Sequence, residues 1–78
     1  MNTETMKYSH VVQDCHRWNF TFDLRATRHG YKITWVQKII DVYGEDLNAG
    51  ILDARNYQAA RQMITDWMAS FGAVRDHD

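Results

Sequence analysis

The residues from Asp53 to Gly72 constrain this chain most. Tyr57, Ala60, Ile64, Trp67, Met68 and Phe71 recur at three- and four-residue steps, which places them on one side of an α-helix. Arg55, Gln58, Arg61, Gln62, Thr65, Asp66 and Ala69 fall largely elsewhere around the turn. Asp53 stands where a carboxylate caps a first turn. Gly72 stands where a left-handed stop costs least. Two large aromatics on the apolar side must be covered, so a broad apolar surface has to come from upstream.

Period-two patterning supplies that surface. Trp18, Phe20, Phe22, Leu24 and Ala26 alternate with Asn19, Thr21, Asp23, Arg25 and Thr27, the pattern of a half-buried strand. His29-Gly30 reads as a two-residue turn with glycine supplying the positive φ. Arg28 then pairs with Tyr31, Ala26 with Ile33, Leu24 with Trp35 and Phe20 with Ile39. Phe22 opposite Gln37 is the one misfit of this register. Ile40 and Val42 fall on the wrong face for a continuous second strand unless a β-bulge near Lys38 brings them round. A helix over 34–43 competes, with Val36, Ile39, Ile40 and Tyr43 as its stripe and Thr34 with Gln37 as a capping box. The density of β-branched residues favours the strand.

Elsewhere the reading is less determined. Residues 6–15 fit either a third strand (Tyr8 to Val12) or a short helix marked by Met6, Val11, Cys15 and Trp18. Gly44 to Gly50 reads as an acidic loop, with Ile51-Leu52 a short edge strand or a lead-in to the helix. The segments 1–6 and 73–78 read as frayed ends of a single domain, 1–78. The fold class expected is α+β: a small antiparallel two- or three-stranded sheet packed by one C-terminal helix. Phe20, Trp35, Trp67 and Phe71 are the expected core. Tyr8, Trp18, Phe22, Tyr31, Tyr43 and Tyr57 are expected to be partly exposed. The alternative is a mostly helical domain with the extra helix at 34–43.

Composition narrows the function classes. Seventy-eight residues bury only about 60–65% of the unfolded surface, so the core is thin. Cys15 is the only cysteine, which forbids an internal disulfide and favours a reducing, cytoplasmic setting. No apolar run approaches the ~20 residues of a membrane span, and Met1 to Lys7 lacks a secretory apolar segment. The only metal-like group is His10, Cys15 and His16, with Asp14 or His29 as further ligands. Its spacing matches no zinc pattern, so no metal or cofactor is expected. Ser9 and His10, as neighbours on a strand, point to opposite faces. Ser70 has no evident base. Carboxylates within 41–53 are the only acid/base candidates, and catalysis is not expected.

Charge and aromatics suggest contact surfaces instead. Net charge is −1, but Lys7 to Lys38 holds six bases against two acids, and Asp41 to Asp53 holds four acids and no base. Arg25, Arg28, His29 and Lys32 gather at the expected hairpin tip with Tyr31 among them, a pattern that can hold phosphates while a ring stacks on a base. The acidic 44–50 loop, with Glu45 and Asp46 and the adjoining Tyr43, is a second candidate patch. The open sheet face, with Asn19, Thr21, Asp23, Arg25, Thr34, Val36 and Lys38, is a third. Ten aromatics in so small a chain exceed what one core hides, and such residues dominate protein–protein contacts.

The expectation is a non-catalytic protein-binding module acting by surface occlusion. A small nucleic-acid-binding regulator using the basic tip is the alternative, and a homo-dimer packing spare aromatics is a third possibility. In size and makeup the chain resembles the compact α/β products of phages and mobile elements, among which are inhibitors of bacterial defence such as anti-CRISPR proteins. This resemblance is one of general character over the whole chain. It carries no motif and transfers no residue role. It implies an inhibitor that mimics phosphates with acidic residues or blocks a subunit contact with aromatics.

Overall fold

A computed structural model of the chain describes residues 3–13 and 16–76. It is α+β. Five strands, β1 (Thr3–Gln13), β2 (His16–Thr27), β3 (Gly30–Asp41), β4 (Gly44–Ala54) and β5 (Val74–Arg75), form one antiparallel sheet in the order β4-β3-β2-β1-β5. One helix, α1 (Tyr57–Phe71), covers one face. The strand count corrects the expected two or three. The hairpin read from period two is the centre of the sheet, and β1 and β4 flank it on either side. Residues 34–43 are not helical. They run through β3 into the turn that follows, because Ile33, Thr34, Val36, Ile39 and Ile40 suit a strand paired on both sides.

The register of β2 with β3 is offset from the one read off His29-Gly30. Thr27 pairs with Gly30, so Arg28 and His29 fill the loop. Both loop residues keep negative φ, and Gly30, at φ 146°, follows the loop instead of filling it. A Cβ on Gly30 would overlap the Ala54 carbonyl oxygen, so β4 and the start of the helix connection also require glycine there. The Thr27 hydroxyl donates to the Gly30 carbonyl and accepts from the His29 amide, at 3.1 and 3.3 Å. The offset is two residues in pairing sum, so the apolar side stays the same while its partners change. Leu24 meets Ile33, Phe22 meets Trp35 and Trp18 meets Ile39. The Phe22 misfit disappears, and Gln37 falls opposite Phe20. No bulge interrupts the described β3 pairings near Lys38. Ile39 and Ile40 simply serve opposite faces.

Gly44 to Gly50 is strand, not loop. The turn before it repeats the first: Asp41 pairs with Gly44, Val42 and Tyr43 are the loop, and Gly44 has φ 131°. Asp41 accepts from the Tyr43 amide at 2.8 Å, as Thr27 does from His29. At the other edge, β5 pairs Arg75 with Tyr8 and Val74 with Ser9, and the Asp76 amide donates to the Lys7 carbonyl at 2.8 Å. Thr3 to Met6 pair with Arg25 to Phe22. These contacts hold segments where the sequence predicts frayed ends; residues 1–2 and 77–78 lie outside the described residues.

The core is the even-numbered side of β1 and β2 with the odd-numbered side of β3, under the helix. Met6, Tyr8, Phe20, Phe22, Leu24 and Ile33 are buried against Ala60, Ile64 and Met68. Tyr8 and Phe22, expected to be partly exposed, are buried on the helix side, Phe22 between β1 and β3 and Tyr8 between β2 and β5. Trp35, Trp67 and Phe71, expected in the core, are half-buried at its margin. The Trp67 ring meets Phe20, Phe22 and Trp35 edge-on at centroid distances of 5.9, 5.6 and 5.1 Å. Such offset geometries match the aromatic quadrupoles.

Helix α1 starts three residues later than Asp53 implies. Asn56 is the cap, its side-chain oxygen accepting from the Ala59 amide at 2.7 Å, and Gly72 closes the helix in the left-handed region. Asp53 lies in β4. Glu4 on β1 accepts from the Tyr57 hydroxyl and from Arg61, pinning the helix start to the sheet. The Tyr57 hydrogen bond, aided by the Glu4 charge, raises the Arg61 pKa above its already high ordinary value.

Trp35 lies flat over Gly50, its cross-strand partner; a Cβ there would stand 2.6 Å from Trp35 Cζ2. Gly50→Ala is therefore expected to cost about 1–3 kcal/mol, the penalty of overpacking a tight site. Urea denaturation should show a lower midpoint with an unchanged slope. Combining it with Trp35→Leu should cost less than the two single losses added together.

Candidate functional site

The helix leaves the opposite sheet face bare, and its side chains can be placed by register. Four rows cross it from β1 to β4. They read Thr3, Arg25, Lys32, Asp53; then Thr5, Asp23, Thr34, Ile51; then Lys7, Thr21, Val36, Ala49; then Ser9, Asn19, Lys38, Leu47. Beyond these, Arg17, Ile40 and Glu45 share a row. The β1 side is threonine and charge. The β4 side is apolar: Leu47 is 67% exposed, Ile51 59% and Val36 39%, with Ala49 between them and Ile40 half-buried nearby. These apolar side chains are neighbours on the bare face and are not scattered singly.

This strip runs along a free edge. Among the described residues nothing pairs with the outer side of β4, whereas β5 covers part of β1. Natural edge strands are blunted by lysine, proline, bulges or shortness. Strand β4 is eleven residues long, contains no Lys, Arg or Pro, and pairs with β3 from Ala54 to Gly44 without a register shift.

The eight residues proposed from sequence do not form one site. Arg25 and Lys32 are direct cross-strand partners on the bare face, and Arg28 and His29 form the adjacent turn. Tyr31 is on the helix side, half-buried, with its ring 5.6 Å from that of Tyr57. No ring from Tyr31 therefore sits among the bases of the tip. Tyr43 lies at the far end of β3, in the second turn, 94% exposed. Twelve residues of strand separate the two turns, roughly 40 Å at ~3.3 Å per residue. Glu45 and Asp46 adjoin Tyr43 but point to opposite faces; Glu45 reaches Lys38 at 3.3 Å. That pair is exposed and adds little stability.

Most other chemical candidates disperse. Glu45 and Asp53 share the bare face but stand eight residues apart, roughly 27 Å; Asp41 and Asp46 are diagonal neighbours on the other face, where Asp41 accepts from the Tyr43 amide. The Ser9 hydroxyl donates to Asp76 at 2.8 Å and that of Ser70 to the Trp67 carbonyl at 2.6 Å. The His10 ring packs edge-on against Trp18, 6.0 Å between centroids. Asp14 and Cys15 lie outside the described residues. Among those described, no group of three His, Cys, Asp or Glu could hold a metal ion, and no helix is long and apolar enough to cross a membrane.

Leu47 and Ala49 fall within the acidic 44–50 segment expected as a contact patch, but as a loop and not as a strand, and Ile51 falls outside it. Two signals mark them. Asp41-Val42-Tyr43-Gly44 repeats the spacing of Thr27-Arg28-His29-Gly30, and 47, 49 and 51 alternate as a strand does. Comparison with family models, with characterised proteins and with solved structures finds no match.

Because Leu47 and Ile51 are exposed, Ile51→Lys should leave stability within about 0.5 kcal/mol of wild type, and Leu47→Lys, which sets a lysine opposite Lys38, within about 1 kcal/mol. Leu24→Ala, fully buried, should lose about 2–5 kcal/mol. Thermal and urea unfolding of the three variants separates the bare face from the core.

Proposed function

We propose that this protein is a non-catalytic protein-binding module that acts by occupying a partner's surface through the β4 side of its bare sheet face. The observation that supports this is the exposed strip of Leu47, Ala49, Ile51 and Val36 along a long sheet edge that carries no lysine, proline or bulge and keeps its three acids, Glu45, Asp46 and Asp53, toward its ends. A hydrophobic centre with a polar rim is the general anatomy of such contacts, and here Asn19, Thr21, Thr34, Lys38 and Glu45 supply the rim. Inhibition is one outcome of occupying a surface in this way.

The nucleic-acid reading loses its stacking ring, since Tyr31 packs on Tyr57 on the other side of the sheet. Arg25, Arg28 and Lys32 remain as a basic cluster, partly offset by Asp53 beside Lys32.

Affinity capture with the full chain tests the proposal. A specific protein partner should be retained by wild type, lost with Leu47→Lys combined with Ile51→Lys, and kept with Arg25→Gln combined with Lys32→Gln. Retention of nucleic acid that falls steeply with salt, and that the glutamine pair abolishes, would assign the basic end instead.

A further inference from the structure

The free edge has a defined chemistry. Asp41 and Gly44 close a two-residue loop as a hydrogen-bonded pair, and pairs alternate from there along an antiparallel ladder. The even residues of β4 therefore turn their backbone groups to β3. Glu45, Leu47, Ala49, Ile51 and Asp53 turn theirs outward. These same five residues carry the bare-face side chains. Any strand added at this edge meets, in order, an acid, three apolar residues and an acid. The neighbouring bases sit on β3, one strand further in: Lys32 is opposite Asp53, and Lys38, diagonal to Glu45, reaches it at 3.3 Å in an exposed pair that leaves the outer side of the carboxylate open to a further base. An incoming chain meets the acids first.

Resting on the protein-binding reading, we infer that β4 takes up an extended peptide segment as a sixth strand, with apolar residues at three alternate positions and Lys or Arg two residues beyond each end of that triplet. The bases pair with Glu45 and Asp53, and the apolar triplet covers Leu47, Ala49 and Ile51. Backbone hydrogen bonds supply affinity, and the alternate side chains supply selectivity. A second copy of this chain is a poor occupant. Antiparallel β4–β4 pairing that sets Leu47 against Ile51 puts Glu45 opposite Asp53, and like charges directly opposed are destabilising.

The test uses the full chain and two blocked nonapeptides, Lys-Thr-Val-Thr-Val-Thr-Val-Thr-Lys and its counterpart with Glu at both ends. The lysine peptide should bind about tenfold tighter than the glutamate peptide, two reversed cross-strand charge pairs being involved. On binding, the amides of Leu47, Ala49 and Ile51 should gain protection from hydrogen exchange, while those of Asn48 and Gly50, already bonded to β3, should change little. Glu45→Lys combined with Asp53→Lys should reverse the preference between the peptides.

Absence of binding, binding without protection at the odd β4 amides, or binding without charge preference would each overturn strand addition. So would a concentration-dependent dimer in sedimentation that Leu47→Lys dissociates, since the edge would then belong to a second copy. The capture experiment with Leu47→Lys and Ile51→Lys reads the protein-binding surface independently. Loss of a specific partner there, with no strand addition here, would leave the surface standing and remove only its mode of recognition.

Discussion

One helix is too short for the sheet it covers, and most of this molecule's character follows from that mismatch. Helix α1 has 15 residues, about 22 Å at 1.5 Å per residue. The long strands have 11 or 12 residues, roughly 36–40 Å, in a molecule 43 Å in its longest dimension. The helix can bury one face of the central strands over part of their length and no more. The fully buried side chains accordingly come from β1, β2, β3 and α1, and none comes from β4. Strand β4 is held by its ladder to β3, by Leu52 and Ala54 at the core margin, and by Trp35 lying across Gly50.

This division explains which parts of the fold were legible in the sequence. The amphipathic helix and the alternation of Trp18 to Ala26 each carry a complete apolar face, so periodicity finds them. Strand β4 has no such face. On its helix side it places Asp46, Asn48 and Gly50 before reaching Leu52 and Ala54, and its regular alternation lies on the side facing solvent. Three acids and two glycines in eleven residues look like a loop when strand patterning is sought as burial. The register of β2 with β3 failed for a different reason. Primed turns need positive φ inside the loop, which draws glycine there in a reading from sequence, whereas Gly30 takes its positive φ just after the loop, where the Ala54 carbonyl also needs space. The charged residues of the hairpin were correctly placed near one another, but the face on which Tyr31 lies depends on that register and on α1, which is distant in sequence.

The candidate surface was the least legible feature, and for a related cause. Its residues matter through what they lack, a covering layer and a further strand, and absence of a neighbour is a tertiary property. Leu47 or Ile51 in isolation could equally have been core. Only the five-strand order places them at the rim of the sheet, beside Val36 from the strand within.

The two edges of the sheet are treated differently, and the difference bears on function. On the β1 side the chain returns after the helix to lay down β5, and Asp76 adds a backbone bond to Lys7 and a side-chain bond to Ser9. That edge is partly closed by the protein itself. The bare face beside it is made of threonines and charged side chains, Thr3, Thr5, Lys7, Thr21, Asp23 and Arg25, which resist casual association. On the β4 side neither measure is taken. Acids at both ends of an apolar triplet still exert selection. In the strand addition proposed above they would oppose a like strand from another copy and favour one with bases at the matching spacing. Lysine or inward-pointing charge in the middle of an edge strand is the usual guard against added strands; β4 has its one helix-side charge, Asp46, near one end and carries leucine, alanine and isoleucine along the middle of its bare face.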